Sequence, residues 1–276
     1  MTRGAQVTVI LLLVAVLGFG GVLIARSRQG GLPPSPSNLL VVFAPCGLSG
    51  PLNGAIPLFR QSHPGIDVEV VYDNANVLVN RVRRGELGDL FISPGELEMR
   101  QLAQEGYIDP SSVRDFGSLD MVVIASPHAK GLDSIDDLTS PSVKYISLAD
   151  PESNSVGHYG QRALQSLGLW EELQPKLLLP GAPLDAIKVV EAGDADAGLA
   201  YLTCPLDTAP EKASKSSLRI LAKIPRDKYP PVRLQLGVFN KTTRQALAQQ
   251  FVDFMTSKQA QQQLAANGVL PVEKIR

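Results

Sequence analysis

The chain has 276 residues, a formal net charge of -1 and 44% hydrophobic residues. A charge this close to zero excludes the basic footprint of a nucleic-acid-binding protein and a strongly acidic partner surface. Apolar residues this abundant exclude disorder over the body of the chain and suffice for one or two hydrophobic cores.

The N-terminal region carries an uncharged apolar run. After a short tip at 1–6, residues 7–25 contain no charged side chain and are about as long as a bilayer-spanning helix requires. The run is a transmembrane anchor or a signal peptide, and its only small-x-small site, buried within it, favours the uncleaved anchor. A Pro/Gly/Ser linker follows at 26–38. We therefore expect a protein on the periplasmic or extracellular face, either tethered to the cytoplasmic membrane or released after signal cleavage.

From residue 39 onwards, strands and helices alternate along the chain. Apolar runs predict strands at 39–44, 66–72, 89–93, 121–125, 143–148, 197–202 and 233–239. Amphipathic spacing and caps predict helices at 52–61, 76–85, 96–105, 157–167 and 184–192, another at Ser134-x-x-Asp137, and a long C-terminal stretch that stops at Asn267-Gly268. This alternation predicts an α/β fold with parallel sheets.

One long segment and several shorter ones carry a family resemblance. The segment ADPESNSVGHYGQRALQSLGLWEELQPKL at 149–177 resembles the second-lobe signature of periplasmic molybdate-binding proteins. The runs VVFAPCGLSGPL near the start, GELGDLFIS at 85–93, AGLAYL at 197–202 and the helical C-terminus follow the same family's order. The resemblance therefore covers nearly all of 39–276.

The resemblance implies a type II periplasmic-binding-protein fold with a ligand cleft between two α/β lobes. Each lobe is expected to hold a mostly parallel sheet flanked by helices, with 39–122 plus 232–276 in the first lobe and 123–231 in the second. Two crossover segments are expected near 122–125 and 227–233. It also implies a monomeric substrate-binding component of an ABC importer, with a membrane permease as partner, molybdate or tungstate as ligand, no cofactor and no enzymatic activity.

Four turns support an anion site independently of the resemblance. They span 45–51, 73–77, 152–157 and 181–184, each between a predicted strand and a helix start, and none contains Lys or Arg. Helix N-termini attract anions through unpaired N–H groups and the helix dipole. Every α/β protein has such turns, so by themselves they are weak support.

By position, the resemblance places ligand contacts in these turns and on one strand. The predicted set is Cys46, Gly47, Ala75, Asn76, Ser155, Val156, Pro183 and Tyr201. The hydroxyl donors expected in the first two turns are replaced by Gly47 and by the segment around Ala75, and each lost bond to a charged ligand weakens binding by about 1–3 kcal/mol. Pro183 has no N–H to donate. The phenol of Tyr201 is a matching donor.

Two cysteines are expected near the cleft, Cys46 in the first turn and Cys204 just after Tyr201. They could form a disulfide, bind a soft metal together with His158, or remain inert thiols. Cys46 and His158 could also meet as nucleophile and base, but no catalytic motif accompanies them. A second functional interpretation is therefore a membrane-tethered binding or sensory module for another oxyanion or for a soft metal held by Cys46 and Cys204.

Overall fold

The first sheet contains the apolar run that begins at Leu39. Strand β1 (Leu39–Pro45) lies between β2 (Asp67–Asp73) and β3 (Leu90–Pro94), and both pair with it in parallel. Strand β10 (Val232–Val238) pairs antiparallel with β3 and with the edge strand β4 (Arg114–Leu119). Every residue of β3 is buried, as expected for a strand covered on both faces.

Helices cover both faces of this sheet, and together they form the first lobe. They are α1 (Ser49–Ser62), α2 (Ala75–Arg83), α3 (Glu96–Gln104), α7 (Gln245–Met255) and α8 (Lys258–Ala266). A 3-10 turn, Cys46–Leu48, leads from β1 into α1. The ring of Phe59 on α1 meets Phe251 edge-on at 5.1 Å and Phe254 at 5.3 Å on α7. The predicted apolar face of the C-terminal helix therefore docks on the first lobe.

The second sheet has the strand order β7-β6-β8-β5-β9. Its strands are β5 (Met121–Ala125), β6 (Ile146–Ser147), β7 (Leu177–Leu178), β8 (Ala197–Tyr201) and β9 (Arg219–Lys223). β5 is antiparallel to both of its neighbours, whereas β6 pairs in parallel with β7 and β8. The second lobe is completed by α4 (Ser155–Ser166), α5 (Trp170–Leu173) and α6 (Pro183–Ala192).

The computed structural model describes residues 38–204 and 218–272, all within the unit Asn38–Arg276. The predicted N-terminal tip, apolar run and linker lie outside the described residues. Among the residues described, no helix is long and apolar enough to cross a membrane. The predicted α/β class is confirmed, with two mixed sheets in place of purely parallel ones.

The chain passes between the sheets at a buried aspartate. β4 ends at Leu119 and β5 begins at Met121, so Asp120 lies at the first crossover. Its carboxylate accepts hydrogen bonds from Arg226 Nε at 2.7 Å and Lys223 Nζ at 3.3 Å. Lys223 is the last residue of β9, and Arg226 follows it on the path to β10. The pKa of Asp120 is lowered because these cations outweigh the opposing effect of burial. The two crossovers are thus joined by an ion-pair network.

Several predicted elements change length or type in the structure. The capped helix at Ser134-x-x-Asp137 is a short 3-10 turn, Asp136–Thr139, because Asp137 accepts bonds from residues 133 and 134 and closes a local turn. The predicted strand at 143–148 contracts to β6. The long C-terminal stretch is two helices, since the hydroxyl of Ser257 caps α8 by accepting from Ala260 N at 3.3 Å.

Candidate functional site

A cavity of about 30 Å³ lies between the two lobes, where turns from both sheets meet. The first lobe contributes Pro45, Cys46, Gly47, Leu48, Asn74, Ala75, Pro94, Glu98 and Leu119. The second lobe contributes Asn154, Ser155, Val156, Pro183, Tyr201, Thr203 and Cys204. Among these described lining residues there is no Lys or Arg. The lining combines apolar residues with uncharged polar side chains, two thiols and the carboxyl group of Glu98.

The structure brings together nearly all the residues predicted for the site. All of them line the cavity except Asn76, whose side chain instead donates from Nδ2 to the carbonyl of Gly181 at 2.9 Å. That bond joins the start of α2 in the first lobe to the turn before α6 in the second. Asn76 therefore lies at the rim and links the lobes.

Each of the four predicted turns lies at the start of a helical segment. Asn154 caps α4, and its Oδ1 accepts from Gly157 N at 2.9 Å. α2 begins after Asn74, and α6 begins with Pro183, both preceded by extended backbone. Helix starts carry N–H groups without helical partners and a partial positive charge. The cavity therefore receives several positive helix ends but no formal cation from the residues described around it.

Glu98 adds a buried carboxyl group to this wall. It lies on α3 with 1% of its surface exposed. Its Oε1 accepts from the backbone N–H of Ser155 at 2.9 Å, and its Oε2 is in short contact with the Ser155 hydroxyl. The Ser93 hydroxyl lies 3.4 Å from Oε2. Burial raises the pKa of Glu98, and the hydrogen bonds from Ser155 oppose that effect. The backbone N–H and hydroxyl of Ser155, the first residue of α4, thus donate to a carboxyl group from the other lobe.

At the start of α6, a backbone N–H likewise donates to a side chain of the first lobe, that of Asn74. The side-chain Oδ1 of Asn74 accepts from Leu184 N across the cleft at 3.2 Å. An amide oxygen from the first lobe therefore lies at the positive end of a second-lobe helix. Together with the Asn76 bond to Gly181, this contact holds the two lobes against each other at the cavity.

Tyr201 lines the cavity while its hydroxyl makes an inter-lobe bond. The phenol is 1% exposed and donates to the carbonyl of Pro94 at 2.9 Å. Burial raises its pKa well above the usual value. The molybdate-binding resemblance implied that this hydroxyl donates to an anion. In the structure it is engaged with the backbone of the first lobe, because β8 ends directly opposite the end of β3.

Both cysteines line the cavity from opposite lobes, and both are present as thiols. A Cβ atom placed on Gly47 would lie 2.7 Å from Cys204 Sγ, so the lobes approach each other closely here. His158 is absent from the described cavity lining, and burial together with Arg162 lowers its pKa. No group of three or more metal-ligating side chains occurs in the described part of the chain. The structure therefore gives no support to a site that combines His158 with the cysteines.

A sequence profile described as bacterial extracellular solute-binding protein matches residues 40–270. The chain belongs to this family. Two curated relatives of this solute-binding protein are each 25% identical to it. The molybdate-binding protein ModA of Escherichia coli (strain K12) aligns over 80% of this chain and 84% of its own. The Bacillus subtilis (strain 168) lipoprotein YvgL, named as an ABC transporter substrate-binding protein, aligns over 73% of this chain and 75% of its own.

A solved structure agrees with the fold of this solute-binding protein. The sulfate-binding protein SubI from Mycobacterium tuberculosis superposes with a TM-score of 0.70 at 20% identity, covering 86% of this chain and 88% of its own. At that identity the likeness concerns the fold alone. The predicted two-lobed type II periplasmic-binding-protein architecture is confirmed, and the family is one of solute-binding proteins rather than enzymes.

Two of the polar side chains that bond across the cleft of this solute-binding protein, Glu98 and Asn74, were not among the predicted site residues. Glu98 shares the buried face of α3 with Met99 and Leu102, one and four residues further on. An acidic residue at an apolar position of an amphipathic helix was the available signal. Asn74 gave a weaker signal, because an Asn before a helix is usually read as a cap for its own helix.

Proposed function

We propose that this protein is the extracytoplasmic solute-binding component of an ABC importer, and that its cleft captures a small tetrahedral oxyanion such as molybdate or tungstate. The observation that carries the proposal is the convergence of four helix starts from two lobes on one small cavity with no lining Lys or Arg among the described residues. Neutral N–H groups and helix dipoles suffice to hold an anion. The molybdate-binding name of the relative ModA supports the same ligand.

In the proposed cycle the oxyanion enters an open cleft, touches turns of both lobes and is buried when they close. The bending occurs at the two crossovers that meet at Asp120 and Arg226. A membrane permease then receives the closed form, and the N-terminal apolar run keeps the protein on the outer face of the cytoplasmic membrane. An anion held without a formal cation is also more easily released.

Calorimetric titration of the purified protein with molybdate, tungstate, sulfate and phosphate tests the proposal. Selective binding of molybdate and tungstate is expected, because the turns enclose a cavity of fixed size. Binding should survive the loss of side-chain hydroxyls at Gly47 and Ala75, since the remaining contacts come from the backbone. Failure of all four oxyanions to bind between pH 5.5 and 7.5, in a protein that melts cooperatively, would contradict the proposed ligand class.

A second candidate function is capture of a soft cation by the two thiols. Cys46 and Cys204 line the same cavity from opposite lobes, and thiolates prefer soft metals. Titration with silver ion under anaerobic conditions distinguishes the candidates. Stoichiometric silver binding that is lost in Cys46→Ser and in Cys204→Ser, together with no oxyanion binding, would favour the thiol function. Oxyanion binding that persists in both serine variants would favour the first.

A further inference from the structure

The carboxyl group of Glu98 occupies a place that an anionic ligand would be expected to take. It reaches from α3 in the first lobe to the first residue of α4 in the second, where Ser155 offers it both a backbone N–H and a hydroxyl. The same carboxyl group lines the cavity. A helix N-terminus favours a negative group at this point. In this structure the protein supplies that group itself.

The geometry brings any bound oxyanion close to this carboxyl group. Val156, the predicted ligand residue of the third turn, directly follows Ser155 in α4 and lines the same cavity as Glu98. Two negative groups held side by side in a site shielded from water disfavour each other, and the pair lowers its free energy by binding a proton. Burial already raises the pKa of Glu98.

We propose that Glu98 is a specificity-determining residue: its carboxyl group holds the α4 donors in the empty protein, and the cleft admits an oxyanion only together with one proton. The inference rests on the proposed oxyanion function and adds the protonation state of the complex to it. The proton is carried either by Glu98, which then donates a hydrogen bond to the ligand, or by the ligand, which then donates to Glu98. Where Glu98 is ionised before binding, both routes leave one proton more in the complex than in the separate partners.

Glu98 is the carboxyl group among the described residues that line the cavity. The phenols and thiols of Tyr159, Tyr201, Cys46 and Cys204 face it or share its cavity. Its own helix also carries Arg100, and α4, which packs against that helix, carries Arg162 and His158, whose pKa is lowered by burial. Burial raises the pKa of Tyr159 to about 12 and that of Tyr201 well above its usual value. On its own helix, Glu96 is paired with Arg233 of β10 at 3.3 Å.

Calorimetry of the full chain in pairs of buffers with different ionisation enthalpies counts the protons taken up. Molybdate and sulfate are the probes, between pH 5.5 and 7.5. For the wild-type protein we expect about one proton per oxyanion wherever Glu98 is ionised in the empty protein. In that range the affinity should fall about tenfold per pH unit.

Glu98→Gln is the decisive variant, because glutamine keeps an acceptor for Ser155 N and a donor for its hydroxyl while removing the charge. We expect no proton uptake, an affinity that changes less than about twofold over the pH range, and tighter binding than wild type at pH 7.5. Glu96→Gln, which removes an exposed charge from the same helix, is the matched control and should behave as wild type.

Three outcomes would overturn the inference. If the wild-type protein binds oxyanion without proton uptake and Glu98→Gln binds with the same affinity, the proposed function stands but the role of Glu98 is excluded. A folded Glu98→Gln protein that binds nothing while wild type binds would make Glu98 a required ligand contact instead. No binding by either protein at any pH contradicts the proposed function and the inference together.

Discussion

The side chain of Cys204 limits which residue position 47 can hold, and so which hydrogen-bond donors the cleft can offer. Any Cβ at this position would meet Cys204 Sγ at 2.7 Å, well inside van der Waals contact. The hydroxyl-bearing side chain that the molybdate-binding resemblance implies here therefore requires the Cys204 side chain to move. The two positions form a pair, one residue small because the other is bulky and lies across the cleft.

Introducing the hydroxyl tests this pairing. Gly47→Ser alone should lower the melting temperature and weaken oxyanion binding, because the new side chain pushes Cys204 and the lobes apart. Gly47→Ser combined with Cys204→Ala should bind at least about fivefold more tightly than Cys204→Ala alone, since a hydrogen bond to a charged ligand contributes about 1–3 kcal/mol. Calorimetry and thermal melts measure both effects. Equal affinities for the double and single variants would contradict the steric account.

At the scale of elements, continuous apolar runs gave reliable predictions. β1, β3 and β5 are buried along most or all of their length, and the sequence predicts each of them because no charged residue interrupts them. β4 and β9 carry charged residues near their ends and lie at sheet edges, so neither shows an uninterrupted apolar run. Their existence depends on a neighbouring strand that is distant in sequence.

In the site too, features set by local sequence were predictable, and features set by distant parts of the chain were not. The first three turns were predictable because each follows a predicted strand and precedes a helix start, whereas the turn at 181–184 follows the two-residue strand β7, which was not predicted. The contacts that Asn74 and Glu98 make across the cleft were not, since they depend on how the second lobe is oriented against the first. Periodicity within one helix contains no information on that orientation. The fold and the position of the cleft were thus within reach of the sequence, whereas the bonds that close the cleft were not.

The packing of α7 on α1 gives a prediction about stability. Phe251 is fully buried and meets Phe59 edge-on. Phe251→Ala should reduce the free energy of unfolding by about 3–5 kcal/mol, because it removes a large apolar side chain and leaves a cavity. Urea unfolding followed by circular dichroism measures the loss. Gln250→Ala, at the exposed neighbouring position, is the control and should change the free energy by less than about 0.5 kcal/mol.

For the whole molecule, the network at Asp120 joins the two paths that cross between the lobes. Asp120 is buried, whereas Arg226 and Lys223 are more than half exposed. Removing Arg226 therefore leaves a buried carboxylate with a weaker set of partners, while replacing Asp120 leaves cations that water can solvate. The two halves of the ion pair are not equivalent.

Arg226→Ala should accordingly cost more stability than Asp120→Asn, by about 1–3 kcal/mol. The folded pKa of Asp120 is lowered, so its contribution is present above the unfolded value near about 3.9 and is lost as the pH falls through the folded value. The difference between wild type and Asp120→Asn should thus shrink on acidification below that range. Urea unfolding at pH 7 and at pH 3 measures it, and a difference that grows at pH 3 would contradict the assignment.

The bonds that Asn74, Asn76, Glu98 and Tyr201 make across the cleft have a consequence for energy use by a transporter. They join the lobes through groups of the protein alone, so we expect an unloaded molecule to reach a closed outline much like that of a loaded one. For a permease that recognises the outline, unloaded molecules would act as competitive inhibitors and would trigger ATP hydrolysis without transport. ATP turnover by the reconstituted importer should then rise with protein concentration even in solute-free buffer.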